Sequence, residues 1–104
     1  MEIAYVHPDI PKFFDSLETP MRAKVFRLTE LLSIEAYHLG MPYSRKVEKN
    51  LYELRARTVQ NVRIFYTFYD GKIILLHAVH KKTKKLTMRD LDTARQRLRA
   101  LHER

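Results

Sequence analysis

The sequence predicts a small α+β domain in which two N-terminal helices and a C-terminal helix pack against an antiparallel meander. Three observations carry this expectation. Apolar residues recur at helical spacing between residues 19 and 40, and the pattern then changes to alternation and short apolar runs between 51 and 80. An Asp70-Gly71 pair divides those runs as a two-residue hairpin does. A chain of 104 residues suits one core, so residues 1–104 read as a single unit of order β-α-α-β-β-β-α.

Glu2 to Val6 alternates and reads as a first strand. Residues 8–17 read as a short helix, with Asp9 at its N-cap and Phe13, Phe14 and Leu17 on its apolar face. Thr19 caps the next helix, Pro20 takes its first position, and Gly40 with Met41-Pro42 stops it. Within it Met21, Val25, Leu28, Leu32, Ala36 and Leu39 form one stripe, which is core material. From Leu51 to Arg57 the residues alternate, so Glu53, Arg55 and Arg57 share one face and Tyr52, Leu54 and Ala56 the other. Val62 to Tyr69 is rich in β-branched and aromatic residues and reads as a central strand, and Lys72 to His80 returns beside it. Met88, Leu91, Ala94, Leu98 and Leu101 mark the stripe of a last helix, with Asp90 near its start and Arg95, Arg97 and Arg99 largely off the stripe.

Composition removes several classes. A 45% hydrophobic content is too high for a disordered tail, and two glycines with four prolines exclude collagen-like and low-complexity chains. The absence of cysteine excludes a disulfide framework and Cys-ligated metal. No apolar run approaches the ~20 residues of a membrane span, and Met1 to Tyr5 lacks the pattern of a signal peptide. A cytoplasmic protein without membrane contact is therefore expected.

The formal charge of +8 is unevenly placed. Residues 43–90 hold twelve Lys/Arg against four acids, while the remainder holds eight of each. A polyanionic partner fits such a block, because cations on phosphates release condensed counterions. A solvated basic surface that serves solubility is the alternative.

Familiar catalytic signatures are missing. Two isolated glycines build no phosphate loop, and the five histidines lack metal-ligand spacing. Ser16, Ser33 and Ser44 lack a nucleophile-elbow context. Four acids in the basic half, two of them assigned to a turn and a helix start, do not suit a two-metal nuclease, so neither metal nor small-molecule cofactor is expected. What remains is a set of cations on strands: Arg55 and Arg57 beside Glu53, Arg63 in the next strand, and Lys81 and Lys82 after the following one. Such a set suits metal-free RNA cleavage, which needs a base for the 2′-hydroxyl, cations for the phosphorane and an acid for the departing 5′-oxygen. Arginine fits the middle task through its planar fork. Each residue also has a plainer reading. Glu53 with Arg55 or Arg57 reads equally as an exposed ion pair, and Arg63 either pairs with a carboxylate or faces a cleft. Lys81, Lys82, Lys84 and Lys85 read as a solvated run with at most one functional member. His80 either titrates near neutrality or caps a strand end. One exposed ring among Tyr52, Tyr66 and Tyr69 could stack a base, the others being core.

The runs Leu51-Tyr52-Glu53-Leu54-Arg55, Val62-Arg63-Ile64-Phe65-Tyr66, Leu75-Leu76-His77 and Lys81-Lys82-Thr83 resemble the RelE-type toxin superfamily, and within it the HigB-like, phage-derived killer-protein branch. The resemblance covers most of the chain, including the Gly40-Met41-Pro42 stop. It implies a RelE-like fold and the toxin of a type II toxin–antitoxin pair, an endoribonuclease cutting mRNA in the ribosomal A site without metal. It also implies a helix-turn-helix antitoxin as partner. By position, Arg63 and Arg55 match phosphate-contacting arginines, Glu53 falls where some relatives carry a carboxylate suited to a base, and Lys82 falls where an arginine serves as acid or stabiliser. Lys46, Arg57, Lys81, Lys84 and Lys85 are then expected to track RNA. Relatives carry a tyrosine near the C-terminal end, whereas none follows Tyr69 here, which leaves His80 to supply part of that role. A non-catalytic RNA- or DNA-binding module and a gyrase-inhibiting toxin of the same superfamily are the alternatives.

Overall fold

The computed structural model describes residues 1–81 and 88–103. Its elements are β1 (Ile3–Tyr5), α1 (Asp9–Asp15), α2 (Thr19–Glu35), a 3-10 turn (Ala36–His38), β2 (Ser44–Glu48), β3 (Leu51–Arg57), β4 (Asn61–Tyr69), β5 (Lys72–His80) and α3 (Met88–His102). The strands form one sheet in the order β1-β5-β4-β3-β2. β1 runs parallel to β5, and the other neighbours are antiparallel. The architecture is the expected α+β one, with one strand more than the sequence predicts.

Both faces of the sheet are covered, which explains why β4 and β5 read as nearly continuous apolar runs. On one face Leu54, Ala56, Val62, Ile64, Tyr66, Ile73 and Leu75 pack under α1 and α2, which bring Ile10, Met21, Val25, Leu28 and Leu32. On the other, Leu51, Phe65, Ile74 and Leu76 pack under Ala94 and Leu101 of α3. Asp70 and Gly71 both have positive φ, 53° and 71°, as a type I′ hairpin requires.

Two bulges adjust the α3 face. The β4–β5 register shifts so that Phe65 opposes His77 while Tyr66 opposes Leu75. Leu76 packs in the α3 core and His77 stacks on Phe65, so consecutive residues share one face. A second shift, between Lys46 and Glu48, places Val47 in the same core while Glu48 reaches α3.

The differences from the sequence reading have local causes. The sequence does not signal β2, because Ser44-Arg45-Lys46-Val47-Glu48 has a single apolar residue. An edge strand tolerates this, since charged side chains there discourage pairing with another chain. Pro8 and Glu18, not Asp9 and Thr19, occupy the N-caps of α1 and α2, and neither makes a side-chain cap bond. The backbone N–H of Asp9 donates to His7 Nδ1 instead (3.0 Å). α2 ends at Glu35 because Ala36 leaves helical conformation with φ 49°, and the chain tightens into the 3-10 turn. Met88 stands exposed and is not part of the α3 stripe, which Leu91, Ala94, Leu98 and Leu101 make up.

Candidate functional site

The alternation of β3 places Glu53 and Arg55 on the α3 face, opposite Leu54 and Ala56. Cross-strand register then builds two adjacent rows. In one, Arg45 of β2 opposes Glu53, which opposes Phe65 and in turn His77. In the next, Arg55 opposes Arg63, which opposes Val79. Three arginines, one from each of three strands, thereby converge on one carboxylate oxygen.

Glu53 Oε1 lies 3.3 Å from Arg45 Nε, 3.5 Å from Arg63 Nε and 3.7 Å from Arg55 Nε. Of these three, Arg45 makes a hydrogen bond of good geometry with it. The Glu53 side chain is 2% exposed, and so is that of Arg63; Arg55 is 21% exposed and Arg45 51%. The cluster is therefore graded, with a buried ion pair behind and two accessible guanidiniums in front. Arg63 Nη1 also donates to the carbonyl of Val62 (3.3 Å). Glu53 Oε2 is buried and has no hydrogen-bond partner among the described residues. Burial pulls the Arg63 guanidinium below its ordinary pKa, Glu53 counteracts this, and Arg55, Arg57 and Arg45 add to the lowering.

Lys81 belongs to the same group. Its backbone N–H donates to the carbonyl of Asn61 (2.8 Å), which fixes the end of β5 beside the start of β4. Burial holds its ammonium below the usual lysine pKa, Arg63, Arg55 and Arg45 reinforce the effect, and Glu53 opposes it. Next to it, Val59, Gln60, Asn61, His80 and Lys81 line a pocket of ≈ 510 Å³.

The sequence-predicted residues thus divide. Glu53, Arg55, Arg63 and Lys81 come together. The reading of Glu53 as part of an exposed ion pair is corrected, because α3-face burial encloses it; Arg63 pairs with this carboxylate. Arg57 is exposed at the end of β3, where its Nε donates to Asn61 Oδ1 (3.1 Å). His80 does not join the cluster: it opposes Val62, and its ring lies 5.0 Å from that of Phe13, on the face covered by α1 and α2. Lys46 opposes Tyr52 and so also faces away from the arginines. Lys82, Lys84 and Lys85 lie outside the described residues. Among the tyrosines, Tyr66 is buried with its hydroxyl bonded to Ser44 Oγ, and Tyr52 stacks on it. The sequence pattern does not single out Arg45, because its strand carries no alternation; its signal there is the basic Arg45-Lys46 pair.

Among the described residues no three His, Asp or Glu side chains group as a metal site, and no helix is long and apolar enough to cross a membrane. No curated protein matches the chain. A protein-family comparison does find a match, and it spans α2, the entire β2–β5 meander and most of α3, including every member of the arginine cluster. With residues 12–99 matching the family described as phage derived protein Gp49-like (DUF891), the chain belongs to that toxin–antitoxin-associated, RelE-like family.

Proposed function

We propose that the protein is the toxin of a type II toxin–antitoxin pair, of the HigB-like branch, and that it cuts mRNA on the ribosome without metal. The observation that carries this reading is the convergence of Arg45, Arg55 and Arg63 on Glu53 in a chain of a toxin-associated family. A cluster with three guanidiniums for one carboxylate retains positive charge, which suits a phosphate that gains negative charge as it is attacked.

In this reading Arg55 and Arg45, the accessible members, bind the non-bridging oxygens of the scissile phosphate. Arg63 adds charge from behind and is held in place by Glu53. The 2′-hydroxyl attacks phosphorus and its proton passes to Glu53, the carboxylate of the cluster, once Arg45 and Arg55 turn from it to the phosphate; its Oε2 has no hydrogen-bond partner among the described residues. The P–O5′ bond breaks, and the 5′-oxygen takes a proton from Lys81, which the surrounding arginines and burial make easier to release. The products are a 2′,3′-cyclic phosphate and a 5′-hydroxyl. Lys81 replaces His80 in this role, since the His80 ring packs on Phe13 across the sheet. Lys82 keeps the place where relatives carry an arginine as acid or stabiliser, Arg57, Lys84 and Lys85 track message or ribosomal RNA, and a helix-turn-helix antitoxin neutralises the toxin. The cytoplasm is the compartment this activity requires.

Controlled induction in bacteria tests the proposal. Wild-type protein should arrest growth within one generation time, and Arg55→Ala should relieve the arrest by at least tenfold in viable count. Harmless wild-type expression would favour a passive binding module. Arrest unaffected by Arg55→Ala would point to the gyrase-inhibiting alternative.

A further inference from the structure

β1 is an edge of the sheet, and among the described residues no strand pairs with its outer side. We infer that this edge is the docking site for an extended segment of the antitoxin, an inference that rests on the toxin reading. The direction of the backbone groups is the first observation. The carbonyl of Glu2 accepts from the Ile73 N–H (2.8 Å), and the Val6 N–H donates to the Leu75 carbonyl (3.1 Å). Residues 2 and 6 thus turn polar groups to β5, and in a parallel ladder Ala4, midway between them, does the same. The N–H and C=O groups of Ile3 and Tyr5 point the other way, off the sheet. Composition is the second observation. Ile3-Ala4-Tyr5 has neither charge nor proline, whereas the opposite edge, β2, is guarded by Arg45, Lys46 and Glu48. Tyr5 is also 55% exposed.

The third observation is a pair of pockets between β1 and α3. Ala4, Val6, Tyr69, Ile74 and Leu101 help to line the larger, of ≈ 260 Å³. Val6, His7, Ala100 and Leu101 help to line the smaller, of ≈ 110 Å³. The pockets share Val6 and Leu101, so they succeed one another along β1 as alternate side chains of a strand do. An added strand would pair its backbone with Ile3 and Tyr5 and set a large apolar side chain in one pocket and a small one in the next. Main-chain bonds then supply affinity and the pockets supply specificity. A second copy of the chain fits less well. Paired antiparallel, it brings Glu2, Ala4 and Val6 to this face, none of them large and apolar enough for the first pocket, and each copy carries +8. The occupant is therefore a partner stretch of the form large apolar, any residue, small apolar.

The test uses the purified chain and the helix-turn-helix protein encoded beside its gene, with amide exchange followed by NMR. The Ile3 and Tyr5 amides should exchange freely in the chain alone and slow roughly tenfold or more in the complex. Tyr5→Pro removes one outward donor at an edge position, where a sheet tolerates proline. Ala100→Trp fills the smaller pocket from an exposed position of α3. Each should weaken the complex roughly tenfold. Growth arrest by either variant alone should match wild type, because β5 and β4 separate β1 from the strand of Glu53 and Arg55. Unslowed exchange at Ile3 and Tyr5 in the complex, or full-strength binding by both variants, overturns the docking inference and leaves the toxin reading standing. Slow exchange of those amides in the concentrated chain alone, lost on dilution, gives the edge to a second copy and also overturns it. Harmless wild-type induction together with no complex overturns both.

Discussion

Glu53 shows how one residue can be structural and functional at once. Its Oε1 is the shared counter-charge of Arg45, Arg55 and Arg63, and the Glu53–Arg63 pair is buried. Removing one partner of a buried ion pair leaves an uncompensated charge, which typically costs about 3–5 kcal/mol. Glu53→Ala should therefore lower stability by about that amount, read as a drop in urea midpoint at unchanged slope. A loss below about 1 kcal/mol, the worth of an exposed pair, would contradict the burial that organises the site. At this scale the sequence was half legible. Alternation shows that Glu53, Arg55 and Arg57 share a face, but it does not show what covers that face. The partners that enclose Glu53, Arg45 and Arg63, come from neighbouring strands, and Phe13 meets His80 from α1, so neither the enclosure of Glu53 nor the separation of His80 shows in the local pattern.

At the scale of elements, two carboxylate–arginine clamps fix α3. Arg97 Nη1 and Nη2 donate to Asp9 Oδ1 and Oδ2 at 3.1 and 2.6 Å, and Nη1 also reaches the carbonyl of bulge residue Leu76 (2.9 Å). Arg95 grips Glu48 of β2 through Nε (2.8 Å) and Nη2 (3.0 Å). The hydrogen bonds from Arg97 hold the Asp9 carboxyl below its ordinary pKa, and those from Arg95 do the same for Glu48; burial opposes both effects. A depressed folded-state pKa contributes stability that is fully present above the unfolded-state value, about 4 for these groups, and is lost as pH falls through the folded value. Thermal melts from pH 6 to 2.5 should thus show wild type losing stability below pH ~4 more steeply than Asp9→Asn/Glu48→Gln. Parallel profiles would contradict the clamps. These elements also mark the limit of periodicity. Long amphipathic α2 and the Asp70-Gly71 hairpin were plain, whereas β2, five residues with one apolar side chain, carries no pattern. Arg45 is hidden with it.

For the whole molecule, the charge asymmetry of the sequence becomes a spatial one. The twelve cations of residues 43–90 against four acids belong to a segment that contains the β2–β5 meander, while the charge-balanced remainder supplies α1, α2 and most of α3. α1 and α2 build the core of one face and leave the opposite face to the arginines and α3. Whether that face cuts RNA is tested most directly by the chemistry of the cut ends. Ribosomes programmed with a defined message and treated with purified protein should yield fragments ending in 2′,3′-cyclic phosphate and beginning with 5′-hydroxyl. Arg55→Ala should lower the yield by at least a hundredfold, about 2.7 kcal/mol of lost transition-state stabilisation. An intact message, or cleavage of equal rate by Arg55→Ala, would contradict the account.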